Sequence, residues 1–422
     1  MKKNTPYGQK FERLAAQTLY PMLNKRQKDF IRDIAFRYRF TFQELRMVSE
    51  ACRDLEMWNE QGLQEWWPSV DVSGKNVKSE KAKLFRELEQ RLAALKRQAK
   101  KYPGEKTFQP ELREKTKIVE RKSDKNIFGE CPVQSPRTVC CNLKTFDAVQ
   151  SCVFGCSYCT IQTFYEDKIV VEKDLTEKLA GIRLDPERRY HIGTGQSSDA
   201  LAYGNRAGML DALSAFAQNN PNVLLEFKTK SDNIRYFLEN EIPPNIVCSW
   251  SLNPQIIIDN EEHFSASLQN RLKAARAVAD RGVKVAFHFH PIIYYSDWQE
   301  DYPKIAYTLM EMFAPDEVLF ISFGSVTFIK PVIKKIRKLG LPSKILQMEF
   351  VSDPHGKLTY PDDIKIEKFS LMYKTFLPWQ DKVFFYLCME KASIWQDSLG
   401  YVYESNDEFE EDMLEKCFAK MD

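Results

Sequence analysis

The chain has 422 residues, 43% of them hydrophobic and 28% charged, with ten cysteines and a formal net charge of +2. That composition excludes a disordered chain and a disulfide-dense scaffold, and it allows two or three domains. No apolar run approaches the roughly 18 residues a membrane span requires, and Glu12 and Arg13 interrupt any apolar leader in the basic N-terminus, so the expected location is the cytoplasm, with no membrane partner. The near-neutral total conceals an asymmetry: residues 1–125 hold 29 Lys and Arg against 18 Asp and Glu, the remainder 32 against 41. A basic appendage on an acidic body suits a polyanionic partner, and equally a solvated helical surface.

Residues 1–101 read as a basic helical domain. In "KRQKDFIRDIAFRYRF", Phe30, Ile31, Ile34, Ala35 and Tyr38 recur at helical spacing. Thr41 followed by Glu44 is a capping box that starts a second helix. The pair resembles a helix-turn-helix, which reads nucleic acid, but a plain helical hairpin has the same pattern. A third helix over about 79–101 carries Leu84, Leu88, Leu92 and Leu95 on one stripe. Residues 102–144 read as a linker, charged and poor in large apolar groups as far as about 127.

From residue 145 to 350, six β-rich runs alternate with amphipathic segments: "TFDAVQS", "RYHIGTG", "VLLEFKTK", "IVCSWSL", "VKVAFHFH" and "EVLFISFG". Alternation of this kind predicts parallel β/α units, and six strands suit a partial barrel better than an eightfold one. Periodicity alone leaves a curved partial barrel and an open doubly wound sheet both standing. Residues 351–422 form a C-terminal extension: a hairpin around His355 and Gly356, a helix near 363–376, a strand-like "VFFYLCME" and an acidic helical tail.

The cysteines cluster. Cys131, Cys140, Cys141, Cys152, Cys156 and Cys159 fall in one stretch, and "SCVFGCSYCT" sets the last three at Cys-x-x-x-Cys-x-x-Cys just after the first predicted strand. In β/α barrels the loops at strand C-termini carry the chemistry. A zinc site wants four protein ligands, and the fourth is absent locally. A thioredoxin-like pair has no need of Cys152, and three buried structural thiols in one loop are unusual. A four-iron cluster has four corners, each normally held by a thiolate. Three cysteines leave one iron open.

In that context Cys152-x-x-x-Cys156-x-Tyr158-Cys159 resembles the signature of radical S-adenosylmethionine enzymes. The resemblance implies a [4Fe-4S] cluster on Cys152, Cys156 and Cys159, with S-adenosylmethionine on the open iron. It also implies a partial (β/α)6 TIM-like barrel and an external reductant such as flavodoxin or ferredoxin. Residues 145–385 further resemble the spore photoproduct lyases, through "CSYCTIQ", "SSDAL", "FKTKSDNIRYFL", "CSWSLN", "RLKAARAVADRGVKVAFHFHPI", "FIKPVIKKIR" and "GKLTYPDDIKIEKFSLMYKTFLP". Those enzymes reverse a covalent thymine dimer in DNA, so the resemblance implies a lyase-like repair or modification of a nucleic-acid base. It also implies that Ser198, Asp199, Lys230 and Ser251, with Tyr158 near the adenine, contact S-adenosylmethionine.

The chain departs from that family at two positions. The lyases place a hydrogen-donating cysteine where Gln196 stands, and a relay tyrosine where Thr160 stands. Cys388, Cys140 and Cys141, with Tyr158, are therefore the candidate catalytic residues. The hairpin also offers Ser352 and Asp353 where the lyases carry basic and aromatic wedges, which aid extrusion of a base. His288 and His290 alternate on one strand and share a face. An RNA, peptide or metabolite substrate keeps the same cofactors; a zinc-stabilised nucleic-acid-binding protein is the reading from another class.

Overall fold

The computed structural model describes residues 6–67, 77–104, 117–131, 137–165, 168–195 and 198–421. It divides into two compact units, one of residues 1–101 with 329–350, the other of 102–328 with 351–422.

The smaller unit is helical: α1 (Pro6–Ala15), α2 (Lys25–Tyr38), α3 (Phe42–Met57), a short turn of helix at Leu63–Trp66, and α4 (Val77–Arg97). Two capping boxes set the starts of α2 and α3. Asn24 and Gln27 exchange bonds at the first, and Thr41 and Glu44 at the second. The predicted stripe of α2 is buried at Ile31, Ile34, Ala35 and Tyr38. On α4, Leu84 and Leu88 are buried, whereas Leu92 and Leu95 are half-exposed.

Residues 329–350, placed with the barrel by sequence, cluster with these helices instead. The helix Lys330–Leu339 brings Arg337, whose guanidinium forks onto Asp54 at 2.7 and 2.8 Å and reaches Glu50 at 2.9 Å. Lys344 donates to the Trp58 carbonyl and the Ser343 amide to that of Met57. From Val48 to Leu55, α3 is buried at every position except Glu50. The second half of α3 thus packs inside the unit, as in a helical hairpin, while Gln43 and Arg46 in its first half stay exposed.

The larger unit is built on one eight-stranded sheet: β1 (Phe128–Glu130), β2 (Lys144–Phe146), β3 (Tyr190–Thr194), β4 (Val223–Thr229), β5 (Ile246–Ser251), β6 (Lys284–Phe289), β7 (Val318–Phe323) and β8 (Phe384–Leu387), in the spatial order β8-β7-β6-β5-β4-β3-β2-β1. All neighbours run parallel except β1, which pairs antiparallel with β2. The edge strands β8 and β1 differ, so the sheet is a curled half-barrel, of the partial β/α-barrel class expected. The inner strands are buried along nearly their whole length, as parallel strands covered by helices must be. Helices such as Met209–Asn219, Leu268–Ala279 and Trp298–Met312 make the crossovers.

The six predicted strands are present, with the first divided: Val149–Gln150 leaves β2 and pairs antiparallel with Ile169–Glu172. The predicted linker holds Ile118–Arg121, which pairs parallel with Ile169–Glu172, and β1. The "VFFYL" run of the extension becomes β8, a seventh parallel strand. These short segments lack a pattern of their own; pairing with a distant partner makes them strands. The hairpin pairs Val351–Ser352 with Leu358–Thr359, and Asp353 Oδ1 accepts from the amides of His355 and Lys357 at 2.8 Å. No helix among the described residues is long and apolar enough to cross a membrane.

Removing Arg337 leaves Asp54, 4% exposed, without its partner. Arg337→Ala is expected to cost about 3 kcal/mol in equilibrium urea denaturation; a loss below about 0.5 kcal/mol would mark the contact as an ordinary surface pair.

Candidate active site

Side chains alternate along a strand, so inward positions recur every second residue. Toward the C-terminal ends of the parallel strands those positions are polar: Glu226 and Lys228 on β4 with Lys230 just past it, Ser251 on β5, His288 on β6 with His290 just past it, and Tyr386 on β8 with Cys388 just past it. All of them line one cavity of about 280 Å³, together with Cys152, Cys156 and Cys159.

The cysteine loop is braced from several sides. Ser151 takes a left-handed backbone (φ 68°), and its carbonyl accepts from Ser198 Oγ at 2.6 Å. The Val153 amide donates to Tyr203 Oη at 2.9 Å. Gly155–Cys156 pairs antiparallel with Glu262–His263, and the Ser157 amide donates to the Glu261 carbonyl at 2.9 Å. Tyr158 donates its hydroxyl to Glu262, which pairs with Arg271 at 2.5 Å and accepts from Asn253 Nδ2 at 2.7 Å. Burial alone would raise the Glu262 carboxyl, but the charges of Arg271 and Lys230 overcome it and bring it down to about 2. Burial pushes the Cys156 thiol up to about 12 against the pull of Lys230, and raises Cys152 and Cys159 as well. The metal-free loop therefore holds thiols, and a metal that binds there displaces their protons.

Lys230 Nζ donates to Ser251 Oγ at 2.6 Å and sits 5.8 Å from the Tyr158 ring centroid, a cation at the wall beside the cysteines. Asp199 lines the cavity and also reaches the backbone behind it. Its Oδ1 accepts from the Ala202 amide at 3.0 Å and Thr229 Oγ1 at 2.9 Å, and its Oδ2 from Thr229 Oγ1 at 3.0 Å and the Lys230 amide at 2.8 Å. A carboxylate has about four acceptor sites, and these three donors, with Thr229 sharing its one proton between both oxygens, leave one open. Asp199 holds Lys230 in place, and Ser198 holds the cysteine loop. Gly195, at φ 97°, passes so close to Lys228 that a Cβ would stand 2.6 Å from its carbonyl oxygen.

Deeper in the barrel the hydrogen bonds run in one direction. Glu226 accepts from His288 Nε2 at 2.5 Å, Ser249 Oγ at 2.5 Å and His191 Nε2 at 2.8 Å. With Nε2 donating, His288 Nδ1 accepts from Ser322 Oγ at 2.6 Å; Ser322 in turn accepts from His290 Nε2 at 2.9 Å, and His290 Nδ1 faces Lys228 Nζ at 3.5 Å. Burial, reinforced by the charge of Lys228, lowers both histidines, His288 to about 4, so both are neutral at pH 7. The chain Lys228–His290–Ser322–His288–Glu226 is thus fully ordered, each neutral imidazole donating at one nitrogen and accepting at the other.

Cys140, Cys141 and Cys388 line the cavity, so the structure brings all three expected thiols to it. Thr160 is tied down by a 2.7 Å bond to the Thr327 carbonyl, and Gln196 lies outside the described residues. Sequence reasoning missed the Glu262–Arg271–Asn253 brace, the Glu226 network and Tyr165, whose hydroxyl is 3.4 Å from Cys159 Sγ. Glu226 had a readable signal: in "VLLEFKTK", charged residues at 226, 228 and 230 interrupt an apolar strand on one face. The brace had none, because its members come from separate elements.

Residues 147–356 match the family model described as spore photoproduct lyase. The chain is 25% identical over 228 residues to the spore photoproduct lyase of Clostridium acetobutylicum, spanning 51% of this chain and 67% of that one. It is 26% identical over 209 residues to that of Bacillus subtilis, spanning 47% and 60%. Among solved structures it resembles a spore photoproduct lyase complexed with dinucleoside spore photoproduct, at TM-score 0.55 and 20% identity over 72% of this chain and 94% of that one. Another form, with bound S-adenosylmethionine and the same dinucleoside, gives 0.55 at 19% over the same shares. These structures show a shared fold.

Because Glu262 is held at about 2, below its ordinary 4.5, its stabilising contribution is complete above pH 4.5 and disappears as pH falls to about 2. In metal-free protein, Glu262→Gln is expected to cost about 3 kcal/mol at pH 7, leaving Arg271 buried and unpaired. Its denaturation midpoint should then change less than wild type's between pH 4.5 and pH 2.5; equal changes would contradict the assignment.

Proposed function

We propose, from the match of residues 147–356 to the spore photoproduct lyase family model, that this chain is a radical S-adenosylmethionine enzyme acting on a thymine-dimer-type lesion in DNA. The observation that carries this reading is the meeting of three motif thiols with the Lys230–Ser251 pair at one cavity on the C-terminal edge of a partial β/α barrel.

Cys152, Cys156 and Cys159 would hold three irons of a [4Fe-4S] cluster, and Lys230, oriented by Ser251 and Asp199, would neutralise the carboxylate of S-adenosylmethionine. Tyr158, fixed by Glu262, walls the same pocket and suits the adenine side. Held there, the cluster and S-adenosylmethionine would supply radical chemistry for hydrogen abstraction; the protein's part is placement and exclusion of water. Lys228 and the histidine chain behind it present hydrogen-bond donors to the cavity, as a polar base edge requires. Low-potential electrons come from a reducing partner of the flavodoxin or ferredoxin kind.

Substrate approach differs from that of the related lyases. Ser352 is on an exposed hairpin strand, and Asp353 is spent on capping its turn, so this hairpin brings no aromatic wedge. The excess of Lys and Arg in residues 1–125 supplies phosphate attraction without base reading, which predicts salt-sensitive binding.

The test uses anaerobically reconstituted protein, reductant, S-adenosylmethionine and an oligonucleotide carrying spore photoproduct. Mass spectrometry is expected to find 5′-deoxyadenosine and repaired thymines together, both abolished by Cys152→Ala. Deoxyadenosine without thymine recovery would remove the lesion assignment and keep the radical enzyme; neither product would remove both.

A further inference from the structure

Four cysteines outside the radical motif meet at the mouth of the open sheet. Cys131 follows β1, Cys140 and Cys141 precede β2, and Cys388 follows β8, so they come from the two opposite edges of the strand order. An antiparallel bridge between Val139 and Glu390 ties those edges together, its amide bond 2.9 Å long. The Cys131 amide donates to the Leu143 carbonyl at 3.0 Å, which extends the β1–β2 pairing and sets Cys131 beside the Cys140–Cys141 segment. The Cys388 amide donates to the Phe323 carbonyl at 2.8 Å. All four cysteines line the cavity, and none is in a disulfide. Cys140 and Cys141 are neighbours in the chain, and Cys140, Cys388 and Cys131 are all near enough to the Cys141 thiol to raise its pKa.

One hydrogen-atom donor requires one thiol, whereas four gathered thiols match the Cys₄ ligand set of a two- or four-iron cluster. Among the described residues no three His, Cys, Asp or Glu side chains converge on a point suited to a single ion. That holds for Cys152, Cys156 and Cys159 as well; a polynuclear core reaches between thiolates set farther apart than the ligands of one ion. Lys228 supplies a second sign. This inward lysine of β4 lies within charge range of both Cys388 and Cys131; burial lowers its pKa, and the negative charge that four thiolates bring to a cluster favours its protonated form. Asn142 and Met389, next to Cys141 and Cys388, take left-handed backbones at φ 50° and 56°. Such conformations cost about 1 kcal/mol or more and turn up at ligand sites.

We propose that Cys131, Cys140, Cys141 and Cys388 hold a second iron–sulfur cluster, which staples the two edges of the half-barrel across its opening. Ligation displaces four thiol protons to solvent and uses iron and sulfide from the assembly mixture. It makes Cys140, Cys141 and Cys388 ligands and withdraws them as hydrogen-atom donors.

The test is metal content of the full chain after anaerobic reconstitution with iron and sulfide. The Cys152→Ala/Cys156→Ala/Cys159→Ala variant is expected to stay coloured and keep about two or four irons with equal sulfide, the count distinguishing the two nuclearities. Adding Cys140→Ser and Cys388→Ser to that variant should remove them. An iron-free triple variant with a wild-type circular dichroism spectrum, or zinc in place of iron and sulfide, overturns the proposal. Cys131→Ser/Cys140→Ser/Cys141→Ser/Cys388→Ser tests the reverse. Retention of about four irons there supports two separate sites, whereas iron loss only in this variant would sink the radical assignment of Cys152, Cys156 and Cys159 and leave the second cluster standing.

Discussion

The buried carboxylate of Glu262 fixes the geometry on which the rest of the site depends. It takes a charge-assisted bond from Arg271, a bond from Asn253 and the hydroxyl of Tyr158 in the middle of the cysteine motif. Arg271 also donates to the Ser251 carbonyl at 2.7 Å, at the end of β5. One carboxylate thereby ties the cysteine loop to the strand that carries the partner of Lys230. Truncating either charge would strand the other in the interior, which costs far more than the pair contributes when intact. A site that must hold three thiols at fixed separations needs such a brace, because loops without one are mobile.

The parallel sheet does the remaining positioning. Its strands end at one edge, and two-residue alternation selects which side chains face the interior there. Around Glu226 the result is an ordered donor chain with neutral imidazoles, a buried lysine at its cavity end and an anion at its buried end. This arrangement presents a defined donor pattern to whatever enters, with no rearrangement of protein dipoles at the moment of reaction.

Much of this was legible in the chain of residues. The cysteine spacing, the β/α alternation and the capping boxes each rest on local pattern, and the six predicted strands and the starts of α2 and α3 follow it. Lys230 and Ser251 stand together because both end neighbouring parallel strands. The strand β8 and the Ile118–Arg121 strand were hidden, since their character comes from partners far away in sequence. Residues 329–350 were assigned by adjacency to the barrel, whereas Arg337 settles them by pairing with Asp54 and Glu50 nearly three hundred positions earlier. Asp199 was recognised as a site residue, but that it also fixes the Lys230 amide is visible only with neighbouring amides in place.

The central claim is that three cysteines hold a cluster with one iron left for S-adenosylmethionine, and that Lys230 secures that ligand. Low-temperature electron paramagnetic resonance of the reduced protein, with and without S-adenosylmethionine, tests it most directly. The account predicts a reduced four-iron cluster signal that changes shape when S-adenosylmethionine is added to wild type, a response absent from the Cys152→Ala/Cys156→Ala/Cys159→Ala variant and far smaller in Lys230→Ala at the same concentration. A signal in wild type that S-adenosylmethionine leaves untouched would contradict it.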